Sequence, residues 1–254
     1  MKPEYITPAC FGHFPELVAL QSTRRGGASS GHFSSLNLGI NTPDEQENVR
    51  ENTRILSLAA GYDPSTLVSG DQVHGTSILH AEKPGRYNGY DAFITGCRNL
   101  FLCIYTADCF PVLLYDPVNR AAGAVHAGWK GTAGGIVMKT LDAMHGSFGT
   151  NPSQCVAWIG AGISRDAYEV GAEVAGAFHS DCCAPSAAAS GNEKYLLDLS
   201  LSNYRQLLVS GVRDANIERS PFCTFRDSSL FFSYRRDKGL TGRMASIIGM
   251  KQGF

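Results

Sequence analysis

Nowhere in this chain is there a run of about eighteen apolar residues, the length a membrane-spanning helix needs, and a helical membrane span is therefore excluded. The opening MKPEYITPACFGHFP lacks an apolar core of signal-peptide length, and the expected location is the cytoplasm. A surplus of one charge is missing too. Lys and Arg number 22 against 23 Asp and Glu, a net charge of -1, so nothing draws the chain to nucleic acid or a membrane surface, and any anionic substrate must be met by local groups. No GxxxxGK[ST] phosphate loop, glycine-rich dinucleotide fingerprint, CxxC pair or HExxH helix occurs, and no internal repeat is found. Only seven histidines are present, none in a His-x-His pair, which argues against the clustered ligands of a multicopper oxidase.

The eight cysteines are irregularly spaced in a chain large enough to be stable without disulfides. They read as free, reduced and buried, with adjacent Cys182 and Cys183 the pair most prone to oxidise.

What is present centres on Leu100 to Gly131, LFLCIYTADCFPVLLYDPVNRAAGAVHAGWKG. Its apolar runs Leu100 to Tyr105 and Val112 to Tyr115 are short and bounded by turn residues, which predicts buried strands. Asp116-Pro117-Val118-Asn119 reads as a hairpin turn, making Val112 to Tyr115 and Ala121 to Ala127 antiparallel neighbours. Polar residues interrupt the stretch at Thr106-Ala107-Asp108-Cys109 and at His126. Elsewhere, Asp44 to Ala60 predicts a surface helix stopped by Gly61. The segment from Val18 through Gly39 reads as loop with short strand pieces. Thr66 to Ala81 carries a strand, an irregular turn at His74 and a second apolar piece. After Trp129 a helical face runs through Ala133, Ile136, Val137, Thr140, Leu141 and Met144. Val156 to Ile163 predicts a strand, Val170 to Phe178 a helix, Tyr195 to Leu199 a strand and Leu201 to Val209 a helix. The low-complexity patch from Ala184 to Gly191 is expected as an exposed loop. Strands and helices mix without regular alternation, so the expected class is α+β, with residues 1–254 forming one domain.

His74, Cys109 and His126 each fall where a strand meets a loop. Two imidazoles and a thiolate form a set suited to zinc, with a fourth position left for water or substrate. Alternatively, Cys109 is a nucleophile with His126 as its base, as in thiol hydrolases, or all three are structural. Arg24 and Arg25 before Gly26-Gly27 read as an anion-binding turn or as an exposed basic one, and Arg235-Arg236 carries the same ambiguity.

The motifs STRRGGASSGHFSSLNLG, DQVHG, TADCFPVLLYD, AVHAGWKGT, YEVG, YLLDL, FFSYRRD and TGRMASII together closely resemble the YfiH family, once called multicopper polyphenol oxidases or laccase-like proteins. The resemblance covers nearly the whole chain. It implies mixed β-sheets packed as a sandwich and flanked by helices, and a purine nucleoside phosphorylase activity accompanied by adenosine deaminase and methylthioadenosine phosphorylase activities. It also implies one Zn2+ held by His74, Cys109 and His126, with copper less favoured. Cys109 and neighbouring Asp108 are then the catalytic candidates, and Arg24, Asn37, Lys130 and Arg235 the candidates for holding purine nucleoside and phosphate. Arg24 is expected to line the cleft beside the metal. Three departures from the family pattern stand out: Lys130 follows HAGW in place of arginine, Ala161 replaces a proline, and Ala167 replaces a cysteine. The first keeps a charge and loses the planar fork. Rival readings are an amidase acting on cell-wall precursors, a copper phenol oxidase, and a metal-stabilised binding module without turnover.

Overall fold

The computed structural model describes residues 2–186 and 194–253. Among these residues the strands form two six-stranded sheets and one of three strands. The first large sheet runs in the order Tyr5–Ile6, Leu17–Ser22, Met244–Met250, Phe101–Thr106, Leu67–Asp71, Gly85–Asn88. The second runs Ile217–Arg219, Val156–Ile159, Phe110–Asp116, Ala121–Ala127, Ala92–Thr95, Ile78–His80. Both mix parallel and antiparallel pairs, and the fold is α+β. The small sheet joins Glu169–Gly171, Lys194–Leu197 and Cys183–Pro185.

Burial explains why the strands of the central stretch are continuously apolar. Along Phe110–Asp116, the side chains of Leu113 and Tyr115 join Leu102, Ile104 and Ile248 between the two sheets. Phe110, Val112 and Leu114 point the other way, against Ile136, Val137, Leu141 and Met144 of the helix Ile136–Phe148 and Leu207 of the helix Leu199–Val209. In the first sheet, Phe101 and Cys103 face Leu56 of the helix Gln46–Ala60 while Leu102 and Ile104 face the second sheet. Each strand is thus buried on both faces, and period-two alternation of polarity disappears. The layers are helix, sheet, sheet, helix. No helix among the described residues is long and apolar enough to cross a membrane.

The hairpin forms as expected, with Leu113 paired to Ala124 and Asp116 to Ala121, and Asp116 accepts from the amides of Val118 and Asn119 across the turn. Gly61 ends its helix in the left-handed conformation, φ 74°. Other expectations need correction. The segment from Val18 begins inside a regular six-residue strand, Leu17–Ser22. The helix after Gly128 is two helices, Trp129–Ala133 and Ile136–Phe148, because Gly135 turns left-handed at φ 75° and a Cβ at Gly134 would lie 2.7 Å from Thr76 Cγ2. The strand from Val156 stops at Ile159, where side chains at Gly160 and Gly162 would collide with Pro111 and Phe110. Within Val170 to Phe178 only Ala172–Ala175 is α-helical, since Glu169–Gly171 pairs with Lys194–Leu197. Leu199 opens a helix rather than ending a strand, because the Asp198 carboxylate caps it by accepting from Leu201 N. Of the low-complexity patch, Ala184 and Pro185 belong to a strand, and its part from 187 on lies outside the described residues.

The segment between Thr23 and Asp44 is irregular and is held down by one buried amide. Asn52 Nδ2 donates to Ser29 Oγ and Asn37 O at 2.8 Å each, and its Oδ1 accepts from Ala28 N at 2.7 Å. Removing it takes a partner from three polar groups, two of them on the buried residues Ser29 and Asn37. Asn52→Ala is therefore expected to destabilise the protein by about 2–4 kcal/mol, read as a lowered urea midpoint with an unchanged slope.

Candidate metal centre and its cleft

Thr106 ends a strand of the first sheet and Phe110 begins one of the second, so Ala107-Asp108-Cys109 is the short crossover between the sheets. This places Cys109 at a sheet end beside the last residues of the paired strand, where His126 lies opposite Pro111. His74 arrives from the loop after Leu67–Asp71, which Gln72 pins by exchanging two side-chain hydrogen bonds with the Tyr105 backbone, at 2.7 and 2.8 Å.

The three side chains converge. One donor atom each from His74, Cys109 and His126 lie within 4.8 Å of one another, and the imidazoles meet edge to face, centroids 4.8 Å apart. Room for them is left by Gly128, where a Cβ would sit 3.0 Å from Cys109 Sγ and 3.1 Å from His74 Cδ2. His126 is buried, Cys109 half-buried and His74 exposed. The donor set and its glycine-lined cradle fit a metal ion with a side open to solvent.

Asp91, fully buried, is the residue that orients the group. Its Oδ1 lies 2.8 Å from His126 Nδ1 and accepts from His74 N at 2.9 Å, while Oδ2 accepts from Val73 N and Gly75 N at 3.2 and 2.7 Å. Its backbone carbonyl accepts from His126 N at 2.7 Å. His74 has φ 61°, an unfavourable region for a residue with a side chain, and the three consecutive amides turned toward Asp91 hold it there. Burial pushes the Asp91 pKa up, but the His126 hydrogen bond and the Gly75 and His74 amides outweigh it, and the carboxyl is held below its ordinary value. A carboxylate on the far nitrogen of a ligating imidazole fixes its tautomer and ring plane.

The sulfur and the imidazole of His126 shift each other's titration. Burial pushes the Cys109 thiol up, and the charges and hydrogen bonds of His126 and then His74 more than offset it, leaving the thiol at about 6. Burial pulls His126 down, and the Cys109 thiolate and Asp91 raise it to about 9.

The centre opens into a cleft of about 540 Å³ lined by Ile40, Tyr105, Asp108, Ile163, Tyr168, Arg235 and Arg243, among others. That volume is in the range of small-molecule sites. Asp108 is nearly buried and accepts from Thr224 Oγ1 at 2.7 Å and from the Arg235 amide at 2.8 Å. The Arg235 guanidinium stacks 5.2 Å from the Tyr168 ring and donates to Glu169 O.

The other sequence candidates are elsewhere. Arg24 does not line this cleft. It borders a separate recess with Arg236 and Lys238, donates to Ser34 O and Ser228 O and stacks 4.6 Å from the Phe232 ring, fastening loops where an anion-binding fork was expected. Asn37 is fully buried, with its amide directed to Thr42 Oγ1, Asp44, Gly39 N and Arg243 N, so it shapes the cleft wall from behind. Lys130 is exposed, its ammonium 5.6 Å from the Trp129 ring, and it does not line the cleft either. Sequence reasoning passed over Asp91 and Arg243. The signal for each was a charged residue immediately preceding a strand that is apolar or small throughout, Ala92–Thr95 and Met244–Met250.

Only the thiolate is alkylated, so the labelling rate climbs with pH through the thiol pKa. In chelator-treated protein, iodoacetamide labelling of Cys109 should rise through about pH 6. Cys103 and Cys155, pushed up to about 12 by burial, should stay unlabelled. Peptide mass spectrometry across pH reads the inflection, and a midpoint near the ordinary thiol value of about 8.5 would contradict the pairing of Cys109 with His126.

The profile of the family described as "multi-copper polyphenol oxidoreductase laccase" matches residues 18–251. The purine nucleoside phosphorylase of Deinococcus radiodurans is 37% identical over 90% of this chain and 87% of its own length. The purine nucleoside phosphorylase YfiH of Escherichia coli K12 is 38% identical over 91% of this chain and 93% of its own. Among solved structures, YlmD from Geobacillus stearothermophilus superposes with a TM-score of 0.88 at 33% identity, covering 94% of this chain and 93% of that one. The sequence match, the shared sandwich and coverage of about nine-tenths of each chain agree, and the chain belongs to this YfiH family of laccase-like proteins.

Proposed function

We propose that the chain is a purine nucleoside phosphorylase with one zinc ion held by His74, Cys109 and His126, and that the same cleft deaminates adenosine and phosphorolyses methylthioadenosine. The observation that carries this reading is the convergence of those three donors in the wall of a nucleoside-sized cleft, in a chain whose relatives bear the phosphorylase name. Purine nucleosides and phosphate are the substrates, and the cytoplasm is the expected location. When bound, zinc supplies Lewis acidity that brings the pKa of water toward neutrality, the property that hydrolytic loss of ammonia requires.

The rest falls to the chain's own side chains. Tyr105, Ile163, Tyr168 and Leu199 offer the flat apolar surface a purine ring needs. Asp108 is the one carboxylate lining the cleft among the described residues, and we assign it to proton handling at the reacting bond, fixed by Thr224 and the Arg235 amide. Arg235 carries positive charge to the rim.

A thiol-hydrolase reading, such as an amidase acting on cell-wall precursors, has one observation of its own: Cys109, His126 and Asp91 stand in the order nucleophile, base and orienting carboxylate. That arrangement leaves His74 without a role, although its donor nitrogen lies within 4.8 Å of the same sulfur. The zinc reading uses both imidazoles. Copper is disfavoured because multicopper chemistry needs several sites, and among the described residues one His/Cys/Asp/Glu group of this kind occurs.

The test is incubation of metal-quantified protein with inosine, adenosine and methylthioadenosine, with and without phosphate, followed by mass spectrometry. Hypoxanthine together with ribose 1-phosphate, formed only when phosphate is present, is the expected result. Free ribose formed without phosphate, or intact nucleoside throughout, would sink the phosphorylase assignment.

A further inference from the structure

Arg243 stands out among the arginines of the chain. Arg25, Arg50, Arg54, Arg86, Arg205, Arg226 and Arg236 each pair with a carboxylate. Arg243 and the exposed Arg235 line the metal cleft and, among the described residues, neither pairs with a carboxylate, but Arg243 is the more buried of the two. Its Nη1 donates to Thr241 O and Gly242 O at 2.9 and 3.0 Å, whereas Nε and Nη2 meet no acceptor among those residues. One edge of the guanidinium is therefore anchored and the other is left to whatever enters.

The fold fixes this side chain with care. Its amide donates to Asn37 Oδ1 at 2.9 Å, and its carbonyl accepts from Leu38 N at 3.1 Å. The aliphatic stem lies in the space that the missing side chain of Gly39 leaves, where a Cβ would come within 2.7 Å of Arg243 Cγ. The Tyr234 ring stands 5.5 Å from the guanidinium carbon. Burial pulls the guanidinium pKa down, and the charges of Tyr234, Asp108 and Cys109 act in the opposite direction. Both oxygens of Asp108 already accept a hydrogen bond. A partly desolvated cation without a directly paired carboxylate is costly, and a planar fork with two free donors matches a tetrahedral oxyanion in bidentate fashion.

We infer that Arg243 is the oxyanion-binding residue of the cleft and that its free edge receives inorganic phosphate. This rests on the phosphorylase reading for the identity of the anion: a purine nucleoside is uncharged, so phosphate is the substrate that needs the fork. Arg243 thus takes the role that the sequence suggested for Arg24 or Lys130.

The experiment compares wild type, Arg243→Gln and Arg243→Lys in initial-rate kinetics and in calorimetric titration with inorganic phosphate in the absence of nucleoside. Loss of a charge-assisted bidentate contact should raise the phosphate KM of Arg243→Gln roughly ten- to a hundredfold. The nucleoside KM should stay within about twofold, with thermal midpoint and zinc content unchanged. Arg243→Lys, which keeps the charge and loses the fork, should fall between. The anchoring bonds to Asn37 and Leu38 use the backbone of residue 243 and survive both substitutions. Should Arg243→Gln fail to fold, Gly39→Ala displaces the stem with the charge retained and is expected to raise the phosphate KM as well. An unchanged phosphate KM and calorimetric affinity, or a nucleoside KM that rises by the same factor, would overturn the assignment. If wild type phosphorolyses no purine nucleoside, the phosphorylase reading falls by itself. Calorimetry then still decides the anion site: phosphate binding that is lost in Arg243→Gln supports it, and equal or absent binding in wild type overturns it.

Discussion

A single buried carboxylate organises the centre. Asp91 gathers three consecutive amides of the His74 loop and one ring nitrogen of His126, and so sets two of the three donors from different elements relative to one another. Isolated charge in an interior is expensive, but four donors around one carboxylate offset that cost and make the arrangement specific. The loop conformation at His74, unfavourable by itself, is held in place by that charge. The third donor, Cys109, comes from the crossover between the two large sheets, so the sandwich itself delivers it to the same point.

Much of this was legible in the residues. The two apolar runs either side of TADC had to be strands buried on both faces, and the structure places helices on one side of each and the opposing sheet on the other. Asp116-Pro117-Val118-Asn119 encoded its hairpin locally. Helical periodicity, by contrast, carried no information about Thr76 approaching Gly134, so the break after Ala133 was invisible. Val170 and Gly171 of the strand Glu169–Gly171 were read as helix because that strand is stabilised by pairing with Lys194–Leu197, a contact remote in sequence. His74, Cys109 and His126 could be picked out because thiol and imidazole are conspicuous in apolar surroundings. Arg24 was placed in the wrong cleft because an arginine beside glycines looks alike wherever the chain carries it. Arg243 was overlooked because a charged residue just before a strand is a weak signal, and its place in the cleft without a paired carboxylate shows only in three dimensions.

The cleft lining holds two sets of groups. The His74, Cys109 and His126 donors are suited to a soft-borderline metal with an open position. Asp108 and Arg243 line the same cleft as a fixed carboxylate and a fixed cation that do not pair with each other among the described residues. Arg24, Lys130 and Asn37 lie outside the cleft lining: in a neighbouring recess, on a helix surface and behind Gly39 to Thr42. The arginine-to-lysine departure at Lys130 therefore falls on the exposed surface of the helix Trp129–Ala133.

The account is tested most directly by zinc affinity, measured by chelator competition on wild type and Asp91→Ala with the far-ultraviolet spectrum as a check on folding. It predicts one zinc per chain in wild type and a loss of roughly ten- to a hundredfold in the variant. Equal affinity in a folded Asp91→Ala protein, or a wild type that binds no stoichiometric zinc, would contradict it.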